Sequence, residues 1–432
     1  MIKVCKFGGT SMADGMTMRR VKDIFESNPG RRYIVVSAPG KRFSGDIKVT
    51  DLLYETEKEV DETGRCGEAY DKICQRFRGI VQELNIDLDI DAILKETKAA
   101  IEEEKSDDFT ASRGEYLSGR VMAALLDIPF IDARDVIKFD ASGKLDSARS
   151  FELLGRALTG KPKALVTGFY GEGTDGKVKT FSRGGSDISG AIVARAAGAA
   201  LYENWTDVSG MYAADPRIVK DAKVIEELTY TQVRELSDVG ASVFHEEAIA
   251  PVIEKGIAIN IRDTNAPEDP GTMIRPSSEK KGIIGVSAKG GYSKLKLRKL
   301  MMFKRPGMRH AMLTMLHLYG VRPSFSFFGI DSIVWYFESG QANDSVLKSM
   351  VERLKKDFQL DYAYYERDHA MLGIVGGHLD DDTSFITACA ALKEAGIRIN
   401  NVNYGSSNTT TLIGVNDSDA KRAVEVIYKA LF

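Results

Sequence analysis

The sequence predicts an α/β protein in two parts: a sheet packed by helices on both faces over residues 1–280, then two tandem βαββαβ units. Short apolar, strand-like runs alternate with longer helical runs from Ile2 to Arg262, the order that covers a sheet on both sides. Pro267, Pro270 and Pro276 with Gly271 interrupt that alternation between Asn265 and Ser278, so the first part ends there. Beyond it the pattern repeats. Leu316-His317-Leu318-Tyr319-Gly320-Val321 and Leu392-Lys393-Glu394-Ala395-Gly396-Ile397 end equivalent helices about 76 residues apart, which places the units at 283–365 and 366–432.

Composition narrows the class. Of 432 residues, 43% are apolar and 28% charged, as in soluble globular proteins. A net charge of −3 argues against a nucleic-acid partner. No apolar run is long enough to span a bilayer, and MIKVCKFGGT lacks a signal peptide's apolar core, so the cytoplasm is the expected compartment, with no membrane partner. Cys5, Cys66, Cys74 and Cys389 show no metal-ligand spacing and read as reduced thiols. The five histidines make no ligand set either.

Taken in order, Ile2 to Phe7 is the first strand, and Lys6-Phe7-Gly8-Gly9-Thr10-Ser11 carries it into a helical stretch, Met16 to Phe25. A glycine turn before a helix start exposes backbone N–H groups to an anion, with Lys6 beside them; equally, it can be a tight turn that binds nothing. Arg32 to Ser37 is a β-branched strand broken by Ala38-Pro39-Gly40. Residues 52–105 read as helices with solvated charged faces and carry no chemistry. Ser112-Arg113-Gly114-Glu115 opens a helix ending near Leu126. There Glu115 is either favourable dipole chemistry in a first turn or, if a pocket faces it, a ligand for an amino group. Pro129 to Asp132 and Ala164 to Phe169 are further strands.

Two motif matches fail on context. Gly171-Glu172-Gly173-Thr174-Asp175-Gly176 fits a dinucleotide fingerprint, but an alternating strand follows, so it reads as a hairpin loop. Gly155 to Lys161 nearly makes a P-loop, but Pro162 stands where a metal-binding hydroxyl is required; it reads as a helix end. Ser182-Arg183-Gly184-Gly185-Ser186-Asp187, feeding the Ala-rich helix Ile188 to Ala200, repeats the logic of the first turn. Two such loops suggest two anionic groups handled face to face. Leu201 to Asp207 is a strand, and Val208 to Arg217 a Gly- and Pro-punctuated loop where α/β proteins place ligands.

KFGGTS at Lys6–Ser11, SRGE at Ser112–Glu115, RGGSD at Arg183–Asp187 and WTDVSGMYAADPR at Trp205–Arg217 resemble the aspartate kinase (aspartokinase) family, in its order and over essentially the whole chain. The resemblance implies an amino-acid-kinase-like sheet followed by two ACT-like, ferredoxin-like regulatory units, in the monofunctional form. It implies transfer of the ATP γ-phosphoryl group to the side-chain carboxylate of L-aspartate. That carboxylate, with a pKa near ~4, is already ionised at neutral pH. The difficulty is anion–anion repulsion, which Mg²⁺ arriving with ATP, a lysine and helix-terminal N–H groups would relieve.

By the same resemblance Lys6 contacts the ATP phosphates, Gly8, Gly9 and Ser11 cradle them, and Asp187 holds Lys6 or assists metal placement. Arg183 pairs with the α-carboxylate of aspartate, Glu115 takes its amino group, and Ser37 and Thr50 line its pocket. Thr206, Asp207, Tyr212 and Arg217 hold the nucleotide. Ser242 stands where many relatives carry an ATP-contacting lysine and Glu246 where they carry proline, so no contact is assigned there.

The resemblance also implies an amino-acid effector, lysine more than threonine, near Phe303-Lys304-Arg305-Pro306-Gly307-Met308, and a homodimer or homotetramer through the ACT units. That loop departs from the commoner Ser-x-Gly-Phe pattern. Two rivals stand beside this reading: another amino-acid kinase, for glutamate or N-acetylglutamate, and an amino-acid sensor without catalysis.

Overall fold

The computed structural model describes residues 1–432 except 183, 242, 243, 245, 378, 380–382 and 406 and the side chain of Glu246. The chain divides into two compact units: residues 1–211, 224–233 and 242–278, and residues 212–223, 234–241 and 279–432.

In chain order the strands of the first unit are β1 (Lys3–Phe7), β2 (Arg31–Val36), β3 (Phe130–Ile131), β4 (Ala164–Thr167), β5 (Tyr170–Glu172), β6 (Val178–Thr180), β7 (Leu201–Thr206), β8 (Glu227–Thr229), β9 (Ala258–Asp263) and β10 (Thr272–Arg275). The helices up to the same point are α1 (Gly15–Glu26), α2 (Val49–Thr63), α3 (Glu68–Leu84), α4 (Ile90–Glu104), α5 (Asp107–Leu126), α6 (Ala133–Val136), α7 (Ser147–Leu158), α8 (Gly185–Ala196), α9 (Tyr230–Asp238) and α10 (Ala250–Ile253). Among the described residues the main sheet has the order β3-β4-β2-β1-β7-β9-β10-β8, and only β9 with β10 runs antiparallel. The chain leaves β1 toward β2 and returns on its other side at β7. That reversal is a topological switch point, and the crevice at the strands' carboxyl ends is where such sheets bind ligands.

Both faces are covered, as a parallel sheet requires. Lys6 and Asn204 point to α8, while Cys5, Phe7, Glu203 and Trp205 alternate to the other face, and all six are buried. Phe7 and Trp205 stack there with centroids 5.8 Å apart.

Local signals explain several boundaries. Asp14 and Thr17 form a reciprocal capping box that starts α1. The helix expected from Ser112 begins earlier, because Ser106 caps it and Asp107 and Asp108 suit its first turn. Glu115 therefore lies in mid-helix, not in a first turn. Both rejected motifs fold as expected: β5 and β6 pair antiparallel around Gly176, and α7 ends at Leu158, with Thr159 as its cap before Gly160.

The second unit holds β11 (Gly282–Arg298), β12 (Phe325–Phe328), β13 (Ser332–Glu338), β14 (Tyr362–Gly377), β15 (Asn401–Asn403) and β16 (Thr410–Asn416). Its helices are α11 (Met308–Leu318), α12 (Asp344–Asp357), α13 (Ser384–Glu394) and α14 (Ala420–Leu431). The strands make one antiparallel sheet, β12-β13-β11-β14-β16-β15. β11 is one long strand that runs on through a register shift between Lys289 and Tyr292. β14 spans both halves likewise, so the boundary expected near 365 falls inside a continuous strand. Gly282–Lys289 pairs with the half of β14 that belongs to the later repeat. Among the described residues no helix is long and apolar enough to cross a membrane.

Candidate active site

Lys6 sits at the carboxyl end of the central strand, level with Val35 of β2 and Asn204 of β7. Its side chain is buried, and Nζ lies 2.6 Å from Asp187 Oδ1 at the start of α8. Asn204 Nδ2 donates to the same oxygen at 2.7 Å, and Tyr202 OH donates to the Asp187 carbonyl at 3.0 Å. A largely buried ion pair returns little net stability once its charges lose most of their water, so stability alone does not account for this one. What it does supply is a cation held in one place at a switch point.

The first glycine turn is built by close approach. Gly40 N–H donates to Gly9 O at 2.8 Å, and a Cβ on Gly9 would come within 2.9 Å of Ala38 O. Part of the expected anion cradle is already committed: Gly8 N–H donates to Trp205 O at 3.0 Å and Ser11 N–H to Gly8 O at 3.1 Å. Ser11 Oγ lies 2.7 Å from Thr264 Oγ1, which donates to Thr206 O at 3.0 Å. The turn after β1 is thereby tied to the end of β7.

In the second loop Gly184 precedes α8 at φ +59°, a left-handed conformation that glycine adopts without penalty. Arg183 lies outside the described residues. Ser186 Oγ is 2.7 Å from Ser37 Oγ, which brings the loop onto the end of β2. Thr50 stands in the first turn of α2, half-buried.

Glu115 lies on α5, wholly buried, with one carboxylate oxygen lacking any partner. Burial pushes its pKa up to about 8, against the opposing pull of hydrogen bonding from the Ala38 backbone and of the Lys6 and Arg113 charges. A carboxyl left under-satisfied near a buried cation is an acceptor waiting for a donor.

Of the residues expected at the nucleotide, Thr206 ends β7 and Asp207 follows it exposed, their side chains bonded at 3.2 Å. Tyr212 and Arg217 belong to the second unit. Arg217 is exposed and its fork is occupied by Asp215, with contacts of 3.0 and 2.6 Å. Ser242 lies outside the described residues, as does the Glu246 side chain.

Asn204, Ser186 and Thr264 escaped the sequence reading. Ser186 sits inside a motif already singled out, whereas Asn204 and Thr264 carry no local signal and are found only through strand register. Residues 52–105, read as solvated, in fact bury Glu57 and Arg76.

The arrangement holds charge rather than moving protons: a fixed lysine, two glycine loops and hydroxyls at strand ends suit phosphoryl transfer, where positioning and neutralisation carry most of the catalysis. The sequence model of the amino acid kinase family matches residues 1–263, and that of an ACT domain matches 387–431. The chain belongs to the amino acid kinase family, and within it to the aspartokinases. Aspartokinase 3 of Bacillus subtilis (strain 168) is 32% identical, covering 100% of this chain and 99% of that one. The lysine-sensitive aspartokinase 3 of Escherichia coli (strain K12) is 26% identical, with 100% and 99% covered. The crystal structure of Clostridium acetobutylicum aspartate kinase superposes with a TM-score of 0.88 at 39% identity, over 100% of both chains. The protein is thus an ATP-dependent kinase acting on aspartate.

Proposed function

We propose that the reaction runs at the switch point of the first unit and is restrained by an end product bound to the ACT-containing unit. An oxygen of the aspartate side-chain carboxylate attacks the γ-phosphorus of ATP, the bond to the β–γ bridging oxygen breaks, and ADP leaves with that electron pair. The product is β-aspartyl phosphate, the first committed intermediate toward lysine, threonine and methionine. No general base is required, because the nucleophile is already an anion.

The observation that carries this reading is the Lys6–Asp187 pair between the two glycine loops, its lysine buried and its aspartate half-buried. Lys6 neutralises the phosphates during transfer, and Asp187 with Asn204 aims it. Gly8, Gly9 and Ser11 flank the phosphates. Since the Gly8 and Ser11 N–H groups are engaged, the cradle forms by their rearrangement or through Ser11 Oγ. Glu115 receives the substrate ammonium, Arg183 the α-carboxylate, and Ser37 and Thr50 line the same pocket. Thr206 and Asp207 take the nucleotide; for Tyr212 and Arg217 that role rests on the resemblance alone. A single well-held carboxylate suits Mg²⁺ brought in by nucleotide phosphates, which supplies further charge neutralisation when bound. Lysine is the effector we favour, on the name of the lysine-sensitive relative, in a cytoplasmic homodimer or homotetramer.

Hydroxamate formation from L-aspartate and L-glutamate, each with ATP and Mg²⁺ and with or without lysine or threonine, tests these points. Product is expected from aspartate alone and suppressed by millimolar lysine. Lys6→Ala should fold and lose turnover by about 10²–10³-fold. An unchanged rate in that variant would remove Lys6 from the site, and indifference to lysine in both activity and melting temperature would remove lysine as effector.

A further inference from the structure

Arg76 lies on α3, in the stretch whose charges read as solvent-facing, yet it is only 8% exposed. Its Nη1 donates to Ala13 O at 3.1 Å and to Gly40 O at 3.3 Å. Its Nη2 donates to Asp46 Oδ2 at 2.6 Å and to Ile47 O at 3.3 Å. These four acceptors come from two different loops. Ala13 closes the turn that begins at the Gly8–Gly9 pair. Gly40, Asp46 and Ile47 belong to the loop after β2, which runs from Ser37 to Lys48 and leads into Thr50 on α2. Asp46 organises that loop itself, taking the Arg42 side chain at 2.9 Å on each carboxylate oxygen.

We propose that Arg76 is a positioning residue for phosphoryl transfer, a guanidinium staple that sets the spacing between the loop facing ATP and the loop facing aspartate. The proposal rests on the placement of the two substrates given above. It accounts for three features at once: why the residue is arginine, why it is buried, and why Gly9 and Gly40 meet backbone to backbone. Only a planar fork can reach a carboxylate and three carbonyls lying in different directions; a lysine has too few donors in too small a head. Without the fork, the Ala13 and Gly40 carbonyls and the Asp46 carboxylate each lose a buried donor, and the loops are free to separate at the Gly9–Gly40 contact. Arg76 touches neither reacting group in this arrangement, so it acts through the loops it joins. In-line transfer is sensitive to the distance between donor and acceptor, and a misplacement near 1 Å costs on the order of 10²-fold.

A cavity of about 240 Å³ lies against the staple, bordered by Asp14, Asp46, Lys72, Arg76 and Glu83. It gives the proposal a specific test, because a small guanidinium ion can enter where the side chain has been cut away. In the full chain, Arg76→Ala and Arg76→Lys are assayed beside the native protein, with kcat and the KM for each substrate resolved. Arg76→Ala is then repeated in low-millimolar guanidinium chloride, with urea and methylammonium chloride as controls. The expected result for Arg76→Ala is a kcat about 10- to 100-fold lower with either KM moved no more than about threefold. Guanidinium should recover at least about threefold of the lost kcat, and the controls should recover none. Arg76→Lys should fall between.

A folded Arg76→Ala variant with native kcat, a loss carried wholly by KM, or a loss that guanidinium does not relieve would each overturn the staple. Should Arg76→Ala not fold, Arg76→Lys and Asp46→Asn decide it: native kcat in both overturns the proposal, and a kcat loss at steady KM supports it. An inactive native chain would instead sink the reading of the site on which this rests.

Discussion

Glu115 shows how much a single environment changes a residue. On the surface a glutamate would be charged at neutral pH; buried on α5 its pKa rises to about 8, so at pH 7 the free protein holds it mostly neutral. Binding a substrate ammonium requires the carboxylate, so aspartate binding at pH 7 should expel close to one proton. Titration calorimetry in buffers of different ionisation enthalpy reads that directly. The stability consequence has a definite sign. The folded state keeps this proton up to about pH 8, while the unfolded chain releases it near ~4.3. The favourable contribution is therefore complete below ~4.3 and lost as pH rises toward 8. Glu115→Gln should gain in melting temperature over the native chain as pH goes from 5 to 8.5, while its KM for aspartate rises. A flat difference across that range, with no proton release, would mean the carboxyl is ionised throughout.

Among the elements, glycines separate close packing from mere permissiveness. A Cβ on Gly40 would meet Gly9 C at 2.8 Å, Gly9 O at 2.9 Å and Thr10 N at 3.0 Å, all backbone atoms that cannot rotate aside. Gly40→Ala should destabilise the first unit by about 1–3 kcal/mol and lower kcat, since it pries apart the two loops of the site. Gly79 lies in the interior of α3, where an added methyl would meet nothing within 4 Å. Gly79→Ala should therefore stabilise by about 0.5–1 kcal/mol through helix propensity. Urea unfolding in a Trp335→Phe background follows the first unit alone, because Trp205 is then the remaining tryptophan. Equal effects from the two substitutions would show that the Gly9–Gly40 contact is looser than its geometry.

Across the whole molecule, chain order and spatial units do not coincide. Residues 212–223 and 234–241 come from the kinase half of the chain but fold into the ACT-containing unit. There Val286 N–H donates to Ala213 O at 2.7 Å, and Glu235 accepts from Thr409 Oγ1 at 2.7 Å. The two repeats share β11 and β14, each running through both halves of one sheet. Hydrogen exchange should find the amides of Val286–Ala288 and Met371–Val375 opening together, with one free energy, since neither strand half has a complete ladder without the other. The amides of edge strand β12 should exchange faster. Separate opening of Val286–Ala288 would show that the early part of β11 is an appendage.

The class of fold was legible in the sequence, and the chemistry through four motifs that resemble the aspartate kinase family; from the glycine turns alone, a tight turn that binds nothing stood equally open. Strand–helix alternation, two glycine turns with a lysine and an aspartate beside them, and a repeated tail are local patterns, and local patterns survive being read one residue at a time. The same local context rules out the dinucleotide and P-loop matches, because whether a strand or a helix follows is set by neighbours along the chain. Only the tertiary structure decided which charges meet. Lys6 with Asp187 and Asn204, Ser11 with Thr264, and Arg76 with two loops are contacts between residues far apart in sequence, created by strand order and register. Among the charges of residues 52–105 nothing marks Arg76, since whether an arginine faces water or a carboxylate and buried carbonyls depends on what α3 is packed against.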